Sequence, residues 1–178
     1  MNLFLAIEPP EEIKQLISEK LKVLKNTYKD FNWIEPKNYH LTIHYFGIVE
    51  ERKELIKKIK DLIYDQKKLY LCTRGLDLFM RNKINIYVDF YRSKELETLE
   101  KTIHQGFNER DITGLNFVPH ISVASCRIPS KQQYFLLKKK LENTEMDCEF
   151  AVEKLFLYES VLDNSAVNYQ KLEEFSLL

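Results

Sequence analysis

The chain has 178 residues, with 27 Lys plus Arg and 27 Asp plus Glu, so its formal net charge is zero. That leaves no broad positive field to hold a long phosphate backbone by counterion release. Hydrophobic residues at 44% and charged residues at 30% give an ordinary globular composition, which argues against a disordered or membrane-embedded chain.

The opening run Leu3 to Ile7 is apolar, lacks a basic flank and passes at once into Glu8-Pro9-Pro10, which predicts a first strand rather than a signal peptide. Pro9 and Pro10 suit a helix start, and Ile13, Leu16, Ile17, Leu21 and Leu24 then recur at helical spacing. Asn32 to Asn38 is turn-rich, and His40 to Phe46 is β-branched and aromatic before Gly47, the pattern of a second strand.

Leu55, Ile56, Ile59, Leu62 and Ile63 predict another amphipathic helix, followed by strands over Leu69 to Arg74 and Ile84 to Phe90. Leu96, Leu99, Ile103 and Phe107 mark a third helix, His120 to Cys126 a strand, and Tyr134 to Leu141 part of a fourth helix. Strands over Glu149 to Ser160 and Val167 to Phe175 close the chain. This order predicts a single α+β unit with helices covering one face of largely antiparallel sheets.

Cys72, Cys126 and Cys148 cannot build a disulfide framework or a four-ligand zinc site alone, and a reducing cytoplasm is the expected setting. No run approaches the length needed to cross a bilayer. The Lys138-Lys139-Lys140 run reads as a solvated helix face. His104 falls on a predicted helix and reads as a partly exposed residue.

The chemistry concentrates in two short segments. His40-Leu41-Thr42-Ile43 and His120-Ile121-Ser122-Val123 share the order histidine, apolar, hydroxyl, apolar. Two matches in a chain of this composition arise by chance on the order of once in 500. A strand has a two-residue period, so each histidine shares a face with its hydroxyl while the apolar residues enter the core. Two such strands side by side form one cleft with two imidazoles and two hydroxyls. Histidine titrates near neutral pH, so one ring can accept a proton while the other donates one, and the hydroxyls can hold non-bridging phosphate oxygens. His40 and His44 mimic a helical zinc pair, but in a strand they stand about 13 Å apart, too far to share a metal.

These paired motifs resemble those of the two-histidine phosphoesterase superfamily, and within it the RNA 2′,3′-cyclic phosphodiesterase, or 2′-5′ RNA ligase, family. The likeness spans nearly the whole chain. It includes Leu3 to Ile7 before Pro10, Trp33 ahead of Asn38-Tyr39-His40, Phe46-Gly47, Phe117-Val118-Pro119-His120, and Leu157-Tyr158-Glu159-Ser160 followed by Tyr169. The resemblance implies a bilobal fold with pseudo-twofold symmetry: two antiparallel sheets, helices on the outer faces, and a central cleft with one motif from each lobe. It implies His40 as proton donor, His120 as proton acceptor, and Thr42 and Ser122 as phosphate holders, with a 2′-phosphate product; the proton chemistry of the two imidazoles calls for no metal or cofactor. The expected protein is a cytoplasmic monomer whose partners are RNA ends or small cyclic-phosphate nucleotides.

Three positions depart from the family pattern. Ser122 stands where Thr is usual, His44 where Arg is frequent, and Ser125 where Arg often follows the second motif; Arg127, on the same strand face as Ser125, is placed to substitute. Tyr39, Phe79, His44 and Arg127 are the further expected substrate-lining residues, with Trp33 and Tyr45 as other aromatics able to stack on a base. Two other functions fit the motifs: a phosphodiesterase for small cyclic nucleotides or 2′-5′ linked oligonucleotides, and a non-catalytic RNA-end binder. Turnover separates them, because a binder holds a cyclic end without consuming it.

Overall fold

The computed structural model describes residues 2–107, 117–163 and 166–178, and the side chains of 162–167 lie outside that description. The strands are β1 (Asn2–Ile7), β2 (Asn32–Trp33), β3 (Leu41–Ile48), β4 (Leu69–Met80), β5 (Ile84–Phe90), β6 (His120–Cys126), β7 (Glu149–Val152), β8 (Lys154–Asp163) and β9 (Ala166–Ser176). The α-helices are α1 (Glu11–Lys20), α2 (Lys22–Thr27), α3 (Arg52–Leu62), α4 (Lys94–Gly106) and α5 (Lys131–Glu142), and a 3₁₀ turn spans Pro36–Asn38.

Every described strand pairing is antiparallel. The strands run in the order β7-β4-β5-β6-β3-β1-β8-β9, with β2 added on β6. The sheet consists of two four-stranded halves, β3-β1-β8-β9 and β7-β4-β5-β6. They meet in the β3–β6 ladder, where Leu41 is paired with Ile121. Chain order and spatial order interleave: β4 leaves the first histidine strand through α3 and joins the second half, and β8 returns to the first. The β4–β7 half is one continuous stretch of sequence, inserted between the two parts of the other half, β1 and β3 before it and β8 and β9 after it.

The helices form where apolar spacing and end chemistry agree. In α4, Leu96, Leu99 and Ile103 are buried, Ser93 accepts the Leu96 N–H at the N-terminus, and Glu95 and Glu97 occupy the first turn. In α5, Ser130 and Gln133 form a capping box ahead of buried Leu137 and Leu141. One core gathers these residues with Ile17 of α1, Leu24 of α2, Leu55 and Ile59 of α3, and Leu3, Leu5, Leu41, Ile43, Ile121 and Val123 of the sheet. Full burial of each such side chain contributes on the order of 2 kcal/mol.

A second, smaller cluster holds Phe4, Ala6, Phe156 and Tyr158, with Tyr169 packed against it. Phe4 and Ala6 alternate with Leu3, Leu5 and Ile7 of the main core along β1, so the small cluster lies on the opposite sheet face. That face carries the histidines. Among the described residues no helix is long and apolar enough to cross a membrane.

Candidate active site between the two half-sheets

Leu41 faces Ile121 across the join, so one step along an antiparallel ladder sets His40 opposite Ser122 and Thr42 opposite His120. Leu41, Ile43, Ile121 and Val123 are buried in the core, whereas His40, Thr42, His120 and Ser122 are half-buried. The four polar residues therefore share the face away from the helices. The two imidazoles are close enough for charge on His120 to disfavour charge on His40.

The rings are held alike. Nδ1 of His40 lies 2.8 Å from the carbonyl of Asn38, and Nδ1 of His120 lies 2.8 Å from the carbonyl of Val118. A carbonyl only accepts, so each Nδ1 carries the hydrogen and each Nε2 is the nitrogen left to give or take a proton. Aromatic rings fix the orientation. Phe4 lies 5.0 Å and Tyr169 4.8 Å from the His40 ring; Phe79 lies 5.1 Å and Tyr87 5.4 Å from His120. In each half the aromatic on the central strand stacks on one from its outer neighbour, Phe4 on Tyr158 and Tyr87 on Phe79. Burial holds the His40 pKa below its ordinary 6.5, against the opposing pull of the Asn38 carbonyl.

Carboxylates flank both histidines. Asp89 is paired with His120 in the β5–β6 ladder, is 6% exposed, and accepts from Arg74 Nε at 2.6 Å as well as from Nη2. On the other side, Ala6 pairs with Thr42 and Ile7 with Leu41, which brings the next residue, Glu8, beside His40. Glu8 accepts from Tyr158 at 2.7 Å, from Lys171 at 2.7 Å and from the buried Lys14. Desolvation alone would raise the Glu8 carboxyl, but these three donors hold it down to about 2.

The expected lining residues divide. Phe79 meets His120 edge-on. Tyr39 is 1% exposed and belongs to the main core, yet it also lines a cavity with His40. Its hydroxyl has no hydrogen-bond partner among the described residues. His44 turns the other way, packing against Phe46, His104 and Phe107. The cause is a register shift: Ala6 opposes Thr42 but Leu5 opposes His44, so one extra residue breaks the two-residue alternation and rotates His44 onto the core face. Arg127 follows the last residue of β6 and is exposed. Glu8, Tyr87 and Lys171 were not marked by sequence pattern, although Phe4, Tyr158 and Tyr169 lie within the landmarks that carry the family likeness.

Residues 9–164 match the sequence model of the 2′-5′ RNA ligase superfamily. A Methanocaldococcus jannaschii protein named RNA 2′,3′-cyclic phosphodiesterase is 29% identical, over 98% of this chain and 100% of its own. A crystal structure from Thermus thermophilus superposes with a TM-score of 0.78 at 21% identity, covering 99% of this chain and 98% of that one. E. coli LigT, crystallised with 3′-AMP, gives 0.72 at 20% identity, over 99% of this chain and 97% of its own.

Proposed function

Because the chain belongs to the 2′-5′ RNA ligase superfamily, we propose that it is an RNA 2′,3′-cyclic phosphodiesterase that opens the cyclic phosphate to a 2′-phosphate without a metal or cofactor. The supporting observation is the matched pair of imidazoles, each with Nδ1 bound to a backbone carbonyl two residues before it and Nε2 left for the substrate. The curated relatives carry the same activity in their names. The two half-sheets act as the two lobes of one domain.

In this reading His120 Nε2 removes a proton from water as its oxygen attacks phosphorus, and the P–O3′ bond breaks on the far side. The departing O3′ takes the proton from His40 Nε2, so the base ends protonated and the acid ends neutral. Thr42 and Ser122 donate to the non-bridging oxygens, whose charge grows in the transition state. Burial disfavours the His40 cation in the free protein, and the phosphodiester anion brought between the rings restores it. A positioned acid or base contributes about a hundred- to ten-thousand-fold. When an RNA 5′-hydroxyl attacks phosphorus in place of water, giving its proton to His120 while O3′ again leaves with the proton from His40, the product is a 2′-5′ bond. The protein acts on RNA ends or small cyclic-phosphate nucleotides as a cytoplasmic monomer.

The test is to incubate purified protein and a nucleoside 2′,3′-cyclic phosphate in EDTA and to read the product by phosphorus NMR. A 2′-phosphate is expected. Activity that disappears with chelation and returns with a divalent ion would overturn the metal-free mechanism, and a 3′-phosphate would overturn the assignment of the breaking bond.

A further inference from the structure

A cavity of about 150 Å³ opens beside His40, lined by Glu8, Lys37, Tyr39, Tyr158, Tyr169 and Lys171 among others. Its lining carries two ammonium groups, Lys37 and Lys171, against one carboxylate, Glu8. Among the described residues Glu8 is the one carboxylate in the lining, and it is shared by two ammonium groups. Lys14 is 4% exposed and shared between Glu8 and the exposed Glu11, whereas the Lys171 side chain remains 45% exposed. Nearby acids on β9 are engaged elsewhere, Glu173 with Lys60 and Glu174 with Lys154. Lys37 at the rim adds a second ammonium, paired with the exposed Glu35. In the His120 half, Arg74 pairs with Asp89 and also has Asp77 near it.

The lining's excess of ammonium over carboxylate therefore lies on the side of the proton donor. That side must hold the ribose, because the departing oxygen belongs to the sugar. In a nucleoside cyclic phosphate nothing anionic lies beyond that ribose, but at the end of an RNA the same ribose carries a 5′-linked phosphodiester. Lys171 is suited to meet it: Glu8 fixes the ammonium with one hydrogen bond, and an ammonium has three donors. Resting on the function proposed above, we infer that the His40-side cavity binds the 5′-phosphodiester of the terminal nucleotide through Lys171, which makes the protein selective for oligonucleotide ends over single nucleosides.

The experiment compares kcat/KM for a nucleoside 2′,3′-cyclic phosphate with that for a dinucleotide bearing the same cyclic end, using wild type, Lys171→Gln and Lys171→Arg. Wild type should prefer the dinucleotide. Lys171→Gln should lose about tenfold more on the dinucleotide than on the nucleoside, the scale of one charge-assisted hydrogen bond, and Lys171→Arg should restore most of the preference. Equal losses on both substrates, or no preference in wild type, would overturn the inference while leaving the phosphodiesterase reading intact. Failure of wild type to consume either substrate would overturn that reading and this one with it.

Discussion

Glu8→Gln tests the electrostatic support of the His40 half. The carboxylate holds Lys14, Lys171 and Tyr158 together, and its pKa falls from 4.5 to about 2. That difference corresponds to roughly 3 kcal/mol in favour of the ionised, folded form. The folded carboxyl lies below its unfolded value, so this stabilisation is complete above pH 4.5 and disappears as the pH falls toward 2. The amide keeps the shape but leaves Lys14 buried with the exposed Glu11 carboxylate 3.8 Å away. Urea unfolding at pH 7 should show a loss of about 3 kcal/mol for Glu8→Gln. Adding Lys14→Met should recover part of it by removing the orphaned charge. A Glu8→Gln protein within about 0.5 kcal/mol of wild type, or one that still loses stability between pH 4.5 and 2 as wild type does, would refute the assignment.

Two further expectations concern the cleft. In an NMR titration of the free protein, His40 should protonate below pH 6.5 because it is buried, and 3′-AMP should raise that midpoint through its phosphate charge; a midpoint above 6.5 without ligand contradicts the burial argument. Thr42→Val and Ser122→Ala should each lower kcat by about a hundredfold with little change in thermal stability, as for a lost oxyanion donor, and unchanged kcat in either removes that hydroxyl from the mechanism.

The sequence carried the histidine strands well because one face of each is core. Leu41 and Ile43, like Ile121 and Val123, must enter the apolar layer, and period two then determines where His40 and His120 point. The predicted bounds of β6 agree with the structure, His120 to Cys126. Strand β4 runs to Met80, beyond the expected end at Arg74, because the bulge before Gly75, at φ +152°, interrupts the apolar alternation without ending the ladder. Glu149 to Ser160 reads as one strand but divides into β7 and β8, which lie in opposite halves of the sheet. The placement of His44 was hidden for the same kind of reason, since a one-residue bulge reverses a face and leaves no composition signal. The ion cluster was beyond sequence reading because it joins Glu8 to Tyr158, 150 positions away, and to Lys171, farther still along the chain. The equal Nδ1 contacts depend on backbone carbonyls, which have no residue signature.

The central claim, that His40 and His120 form one acid–base pair, is tested most directly by single-turnover hydrolysis of a dinucleotide 2′,3′-cyclic phosphate in EDTA. The comparison is between wild type, His40→Ala, His120→Ala and the double variant, each checked for native melting. Each single variant should be slower by about a hundred- to ten-thousand-fold, with the double variant falling far short of the product of the two losses, as for residues that act as a unit. Near-normal turnover in either folded single variant, or fully multiplicative losses in the double variant, would contradict it.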